Sequence, residues 1–132
     1  MNREQFIQHT SDEYGVEGEY LWPKYPLFCV FRHPSNRKWF AIVMDVPKNK
    51  LGLVGTEPLD VVNLKCASIL IGSLRKEPGI FPAYHMSKAN WISVALDGSV
   101  PDEQIKMLLY MSYDATAPKN KRKVKDINPS KE

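Results

Sequence analysis

With 132 residues, 43% of them hydrophobic, the chain has the size of one compact domain that buries roughly two thirds of its unfolded surface, so folding requires neither a disulfide scaffold nor a structural metal. Two cysteines, Cys29 and Cys66, sit among apolar neighbours at no metal-ligand spacing; with no signal-peptide pattern at the start and no run near the ~20 apolar residues of a membrane span, this predicts a cytoplasmic protein with reduced thiols. The net charge of +3 is uneven: residues 119–132 hold six basic residues against two acidic ones and leave the body at −1, which excludes a basic domain by bulk charge.

Asn2, with Gln5 three residues on, predicts a capping box that opens a first helix. Phe6, Ile7, Thr10 and Tyr14 line one side of it, and Gly15 ends it. Residues 16–26 carry Tyr20, Trp22, Pro23, Tyr25 and Pro26, which predicts an extended arm or short strand. Residues 27–32 and 38–46 read as a hairpin turned by Pro34, Ser35 and Asn36. The second of these strands is nearly continuous in apolar residues, as a central strand covered on both faces would be. A third strand is expected over 51–54 and a fourth over 61–65, followed by a short helix over 66–75 that tolerates Gly72 at a cost of about 0.8–1 kcal/mol relative to Ala.

Glu77, Pro78 and Gly79 end that helix. The strand over 91–96 then places Ile92, Val94 and Leu96 on one face and Trp91, Ser93 and Ala95 on the other. Asp97 and Gly98 make a turn. Ser99 with Asp102 predicts a capped final helix in which Ile105, Leu108, Leu109 and Ser112 form an apolar stripe. The expected fold is α+β, an antiparallel sheet with helices packed on one face. The expected organisation is one domain over 1–117 and a basic, disordered tail over 118–132.

The chemistry-bearing residues are few. His85, Lys88 and Trp91 recur at three-residue spacing in and just after the turn that precedes a strand. A donor, a point charge and a stacking face in that arrangement suit an anion attached to a flat ring. The alternative reading makes Trp91 a core residue, Lys88 its aliphatic cover and His85 a loop cap. No nucleophile has a base paired with it by spacing, His9, His33 and His85 lie at no zinc-binding interval, and no phosphate-binding glycine motif is present. The expectation is a protein that is not an enzyme and holds no cofactor or metal.

Pro82, His85, Lys88, Trp91, Leu96-Asp97-Gly98 and Ser112-Tyr113 together resemble the signature of the MmcQ/YjbR-like family, small bacterial proteins often called DNA-binding. The resemblance continues upstream through Trp39-Phe40-Ala41 and Val62-Asn63-Leu64-Lys65-Cys66 and covers most of the chain before the last fifteen or so residues. It implies a CyaY-like fold and a DNA-binding role. Phosphates would be contacted by Lys88, Lys65 and the tail residues Lys121, Arg122 and Lys123, with Tyr113 a further ligand candidate. A small anionic ligand or a protein held by His85, Lys88 and Trp91 is the alternative.

Overall fold

The structure is a computed structural model that describes residues 1–118. Helix α1 (Arg3–Tyr14) opens on the capping box: the Asn2 side chain accepts from the Gln5 amide at 2.8 Å, and the Gln5 side chain accepts from the Asn2 amide at 2.9 Å. It ends at Gly15, whose φ of 64° is left-handed. Strands β1 (Cys29–Arg32) and β2 (Trp39–Pro47) form the hairpin, followed by β3 (Pro58–Lys65), helix α2 (Ser68–Leu74), β4 (Ile80–Pro82), β5 (Trp91–Ala95) and helix α3 (Asp102–Thr116).

Among the described residues the five strands make one antiparallel sheet in the order β1-β2-β3-β5-β4. The protein is therefore α+β. No helix among the described residues is long and apolar enough to cross a membrane.

The two faces of the sheet are covered differently. Cys29, Phe31, Val43, Val62, Leu64, Ile92 and Val94 pack on one face against Phe6 of α1, Ile71 of α2 and Ile105, Leu108 and Leu109 of α3. That is the helix-covered core. On the other face Val30, Ile42, Met44, Val46, Leu59, Val61 and Ala95 form a second apolar layer, covered among the described residues by loop residues such as Trp22, Phe28, Tyr84 and Met86. Alternation along each strand produces this division, since successive side chains point to opposite faces.

One irregularity decides which face Trp39 joins. Phe31 pairs with Ala41, and Arg32 pairs with Trp39, so Phe40 has no partner across the hairpin and forms a bulge. The extra residue shifts the alternation: Phe40 and Ala41 both join the helix-covered core, and Trp39 falls on the opposite face. The Phe40 carbonyl accepts at 2.6 Å from the buried hydroxyl of Ser112 on α3. That same hydroxyl oxygen accepts at 2.9 Å from the amide of Lys65, which lies past the last β2–β3 pair, Ala41 with Leu64. One side chain thus serves two backbone groups that the bulge leaves outside the ladder.

Several expectations need correction. Residues 51–54 are not a strand: Lys48–Leu51 is a short 3-10 turn, Gly52 at φ 81° reverses the chain, and Val54 is exposed. Ser99 does not cap the last helix. Its amide and hydroxyl both donate to Asp97, at 3.0 and 2.6 Å, which commits it to the Asp97 turn, and Pro101 occupies the cap position. The helix expected over 66–75 starts at Ser68, because the Cys66 amide is held by the Asn90 carbonyl at 2.7 Å. The pairing of Ile80–Pro82 with β5 went unforeseen.

Ser112→Ala leaves the Phe40 carbonyl and the Lys65 amide without their partner, and the expected loss is about 1–3 kcal/mol in urea unfolding. A shift in tryptophan emission in the folded baseline, retained in a chain that carries Trp22→Phe and Trp91→Phe, would report that Trp39 has moved. An unchanged midpoint would mean that water replaces the hydroxyl at no cost.

Candidate functional site

The thinly covered face of the sheet carries a cavity of about 620 Å³. Its floor is Ile42 and Met44 of β2, with Trp39 at one end and Asp45 and Pro47 towards the other. One wall comes from the segment after α1. Glu19 pairs with Val30 beside β1, and its carboxylate receives the Arg32 guanidinium at 2.8 and 2.7 Å, which holds that carboxyl below its usual range.

Beyond that anchor the chain turns twice, through hydrogen bonds from the Tyr25 amide to Trp22 and from the Phe28 amide to Tyr25, each 3.0 Å long. The turns fold Trp22, Tyr25 and Phe28 over the sheet. Trp22 meets Trp39 edge-on at 5.7 Å and Phe28 edge-on at 5.9 Å, and Tyr25 stacks on Phe28 at 4.9 Å.

Close approach roots the segment. A Cβ at Gly18 would lie 2.3 Å from the Cys29 sulfur and 3.2 Å from the Phe31 ring, so only glycine fits against β1 here. At the far end the buried Arg3 of α1 donates to the Leu27 carbonyl at 2.6 Å and to Asp60 at 3.1 Å. Lys24 lines the cavity between these two anchors, where its ammonium can face an anion.

The opposite wall is Tyr84, His85 and Met86. Its backbone is held by two fully buried polar side chains that face each other across β3 and β5, Asn63 and Ser93. The Tyr84 amide donates to the Ser93 hydroxyl at 3.0 Å, Ser93 donates to the Asn63 carbonyl, and the Asn63 amide donates to the Tyr84 carbonyl at 2.8 Å. The ring of bonds is closed and every member is satisfied. His85, at φ 60°, occupies the left-handed region that non-glycine residues rarely adopt, and its imidazole lies 3.9 Å from the Tyr84 ring.

The residues singled out from sequence are distributed unevenly around this cavity. His85 is part of its wall. Trp91 is half-buried in the same apolar layer, and the Lys65 ammonium lies 5.9 Å from the centre of its ring, within range of a cation–π contact. Lys88 is exposed in the same loop and outside the cavity walls. Tyr113 lies on the helix-covered side of the sheet, stacked on Tyr14 at 4.3 Å. Lys121, Arg122 and Lys123, with the rest of the tail beyond Pro118, fall outside the described residues.

Sequence reasoning did not place Trp22, Lys24, Tyr25, Trp39 and Tyr84 in a site. The available signal was the density of aromatics and prolines over 20–28, more rigid apolar area than an arm lying along one strand can bury. Both thiols are buried, and burial pushes each above its ordinary value, so neither is poised as a nucleophile. No group of three His, Cys, Asp or Glu side chains among the described residues is placed to hold a metal ion.

The chain matches the model of the YjbR family over residues 12–115. It is 39% identical over 116 residues to the uncharacterized protein YyaQ of Bacillus subtilis, covering 88% of this chain and 98% of that one. It is 40% identical over 67 residues to the uncharacterized protein YjbR of Escherichia coli, covering 48% of this chain and 57% of that one. A Pseudomonas syringae protein solved by crystallography superposes with a TM-score of 0.87 at 44% identity, over 89% of this chain and all of the other. A Deinococcus radiodurans crystal structure shares the fold, with a TM-score of 0.65 at 24% identity over 86% of this chain and 77% of that one.

The Asn63–Ser93–Tyr84 ring yields a specific expectation. Asn63→Ala strands the Tyr84 carbonyl and removes the acceptor of Ser93, costing about 1–3 kcal/mol. Amide exchange at Tyr84 should accelerate more than exchange at Val94, on the same strand pair. Uniform acceleration would show that the ring supports the whole sheet rather than the cavity wall.

Proposed function

The chain belongs to the YjbR family, and from that premise we propose that it is a binding protein of the cytoplasm, not a catalyst, that takes a nucleobase into the aromatic cavity and meets its phosphate at the rim. The observation that carries the reading is the chemistry of the walls. Trp22, Tyr25, Trp39 and Tyr84 offer ring faces and edges, and Lys24 and His85 offer donors to an anion. The volume suits a nucleoside-sized guest, being within the roughly 300–1,000 Å³ of small-molecule sites.

An antiparallel sheet face that presents aromatics is a known physical solution for unpaired bases, each stacked base contributing about 1–3 kcal/mol. The near-neutral body adds little long-range attraction, so affinity for a strand would draw on the basic residues 119–131 through counterion release. Duplex DNA hides its ring faces, so the reading favours single strands or free nucleotides. A ring that carries an anion is common to both.

Emission from Trp22 and Trp39 is the direct probe. Titration with oligodeoxythymidylate, a duplex of equal length and thymidine monophosphate should show quenching by the first and third and little by the duplex. Tyr25→Ala, at a residue 53% exposed, should weaken binding about five- to hundredfold. Replacing the six tail cations by Gln should flatten the salt dependence for the strand and leave that for the mononucleotide unchanged. Equal binding of the duplex, or indifference to Tyr25→Ala, would refute base stacking in this cavity. Quenching by the mononucleotide alone would assign the site to free nucleotides.

A further inference from the structure

A second hollow, of about 330 Å³, lies on the helix-covered side where the ends of α1 and α3 meet the β1–β2 turn. Three tyrosines, Tyr14, Tyr110 and Tyr113, line it together with His33 and Asp114. The Tyr113 ring lies 4.3 Å from both the Tyr14 ring and the His33 ring. Tyr110 is 54% exposed and completes the outer wall.

We infer that this hollow is a cation site, shaped for one ammonium or guanidinium group such as lysine, arginine or an alkylamine carries. Ring faces attract cations through their quadrupoles, tyrosine among them, and Tyr110 is the ring left exposed at this hollow. Both bordering helices bring their C-terminal, partially negative ends to the hollow, and neither has a basic residue in its last turn to balance that end. Asp114 supplies a formal negative charge.

The His33 side chain is occupied. Its Nε2 lies 2.9 Å from the Thr116 hydroxyl and 3.0 Å from the Tyr113 carbonyl, so that nitrogen is committed to the α3 end. Asn36 donates to the Thr116 carbonyl at 2.9 Å from the same turn. Burial first, then Glu13, push the Tyr14 hydroxyl up to about 12, so this phenol stays neutral beside the hollow. Nothing in this reading depends on the cavity across the sheet. Pro118 is a wall residue, and in sequence it is followed by the basic residues Lys119, Lys121, Arg122, Lys123, Lys125 and Lys131, which lie outside the described residues.

Full-length protein, and a second chain with its six tail cations replaced by Gln, would be titrated with tetramethylammonium and with its neutral shape-mimic tert-butanol while amide resonances are followed. Saturable shifts at Gly15, Tyr113 and Ala117 with the cation, absent with the alcohol, are the expected result. Tyr110→Ala should weaken binding roughly three- to tenfold while Tyr110→Phe keeps most of it, because the ring face and not the hydroxyl does the binding. Cation binding by the tail-neutralised chain alone would uphold the site and identify one of the six replaced basic residues as a competing guest. Equal shifts with tert-butanol, an unaffected Tyr110→Ala variant, or no binding by either chain would overturn it.

Discussion

The hydrogen bonds of Ser112 to the Phe40 carbonyl and the Lys65 amide fix the arrangement on which the rest of the molecule depends. A bulge leaves backbone groups unpaired, and an unpaired buried group costs about 1–3 kcal/mol, so a bulge survives in a sheet interior only where something else satisfies it. Here a helix supplies that partner from the opposite layer. Because Phe40 can stand outside the ladder, Trp39 points away from the helices and closes the end of the aromatic cavity. A contact on one side of the sheet therefore sets the shape of the other.

The two faces are covered in different ways. Helices α1, α2 and α3 seal one with a continuous aliphatic and aromatic core. The other is only partly closed, by turns 20–28 and 84–90, and loop cover cannot interdigitate with a sheet as densely as helices do. The cavity is the space the turns leave open. Its walls are anchored from outside, by Arg3 and Gly18 on one side and by Asn63 with Ser93 on the other, so the cavity surface is supported by residues that never reach it.

Much of this was legible in the residues. The capping box of α1, the hairpin over β1 and β2, the face division of β5 and the apolar stripe of α3 all follow from local pattern. The exceptions have local causes. Ser99 reads as a cap until Asp97, two residues earlier, competes for it. Residues 51–54 read as a strand until Gly52 takes a positive φ. The bulge is hidden because Trp39, Phe40 and Ala41 are all apolar, so either register buries them. Of the site, His85 was legible from its residue type and loop position, but the cavity required knowing that residues 20–28 cross the sheet rather than run beside it. That is a tertiary fact, set by glycine contact and an arginine from another element.

The closed ring of Asn63, Ser93 and the Tyr84 backbone leaves the cavity with one stiff side and one compliant side. The Tyr84 backbone is clamped before any guest arrives, whereas Tyr25 and Pro26 stand in turns open to solvent. A guest would enter without waiting for a closing loop and would find one fixed plane to register against. The outer edge could yield to a two-ring or a one-ring heterocycle alike, which favours breadth over discrimination between purines and pyrimidines.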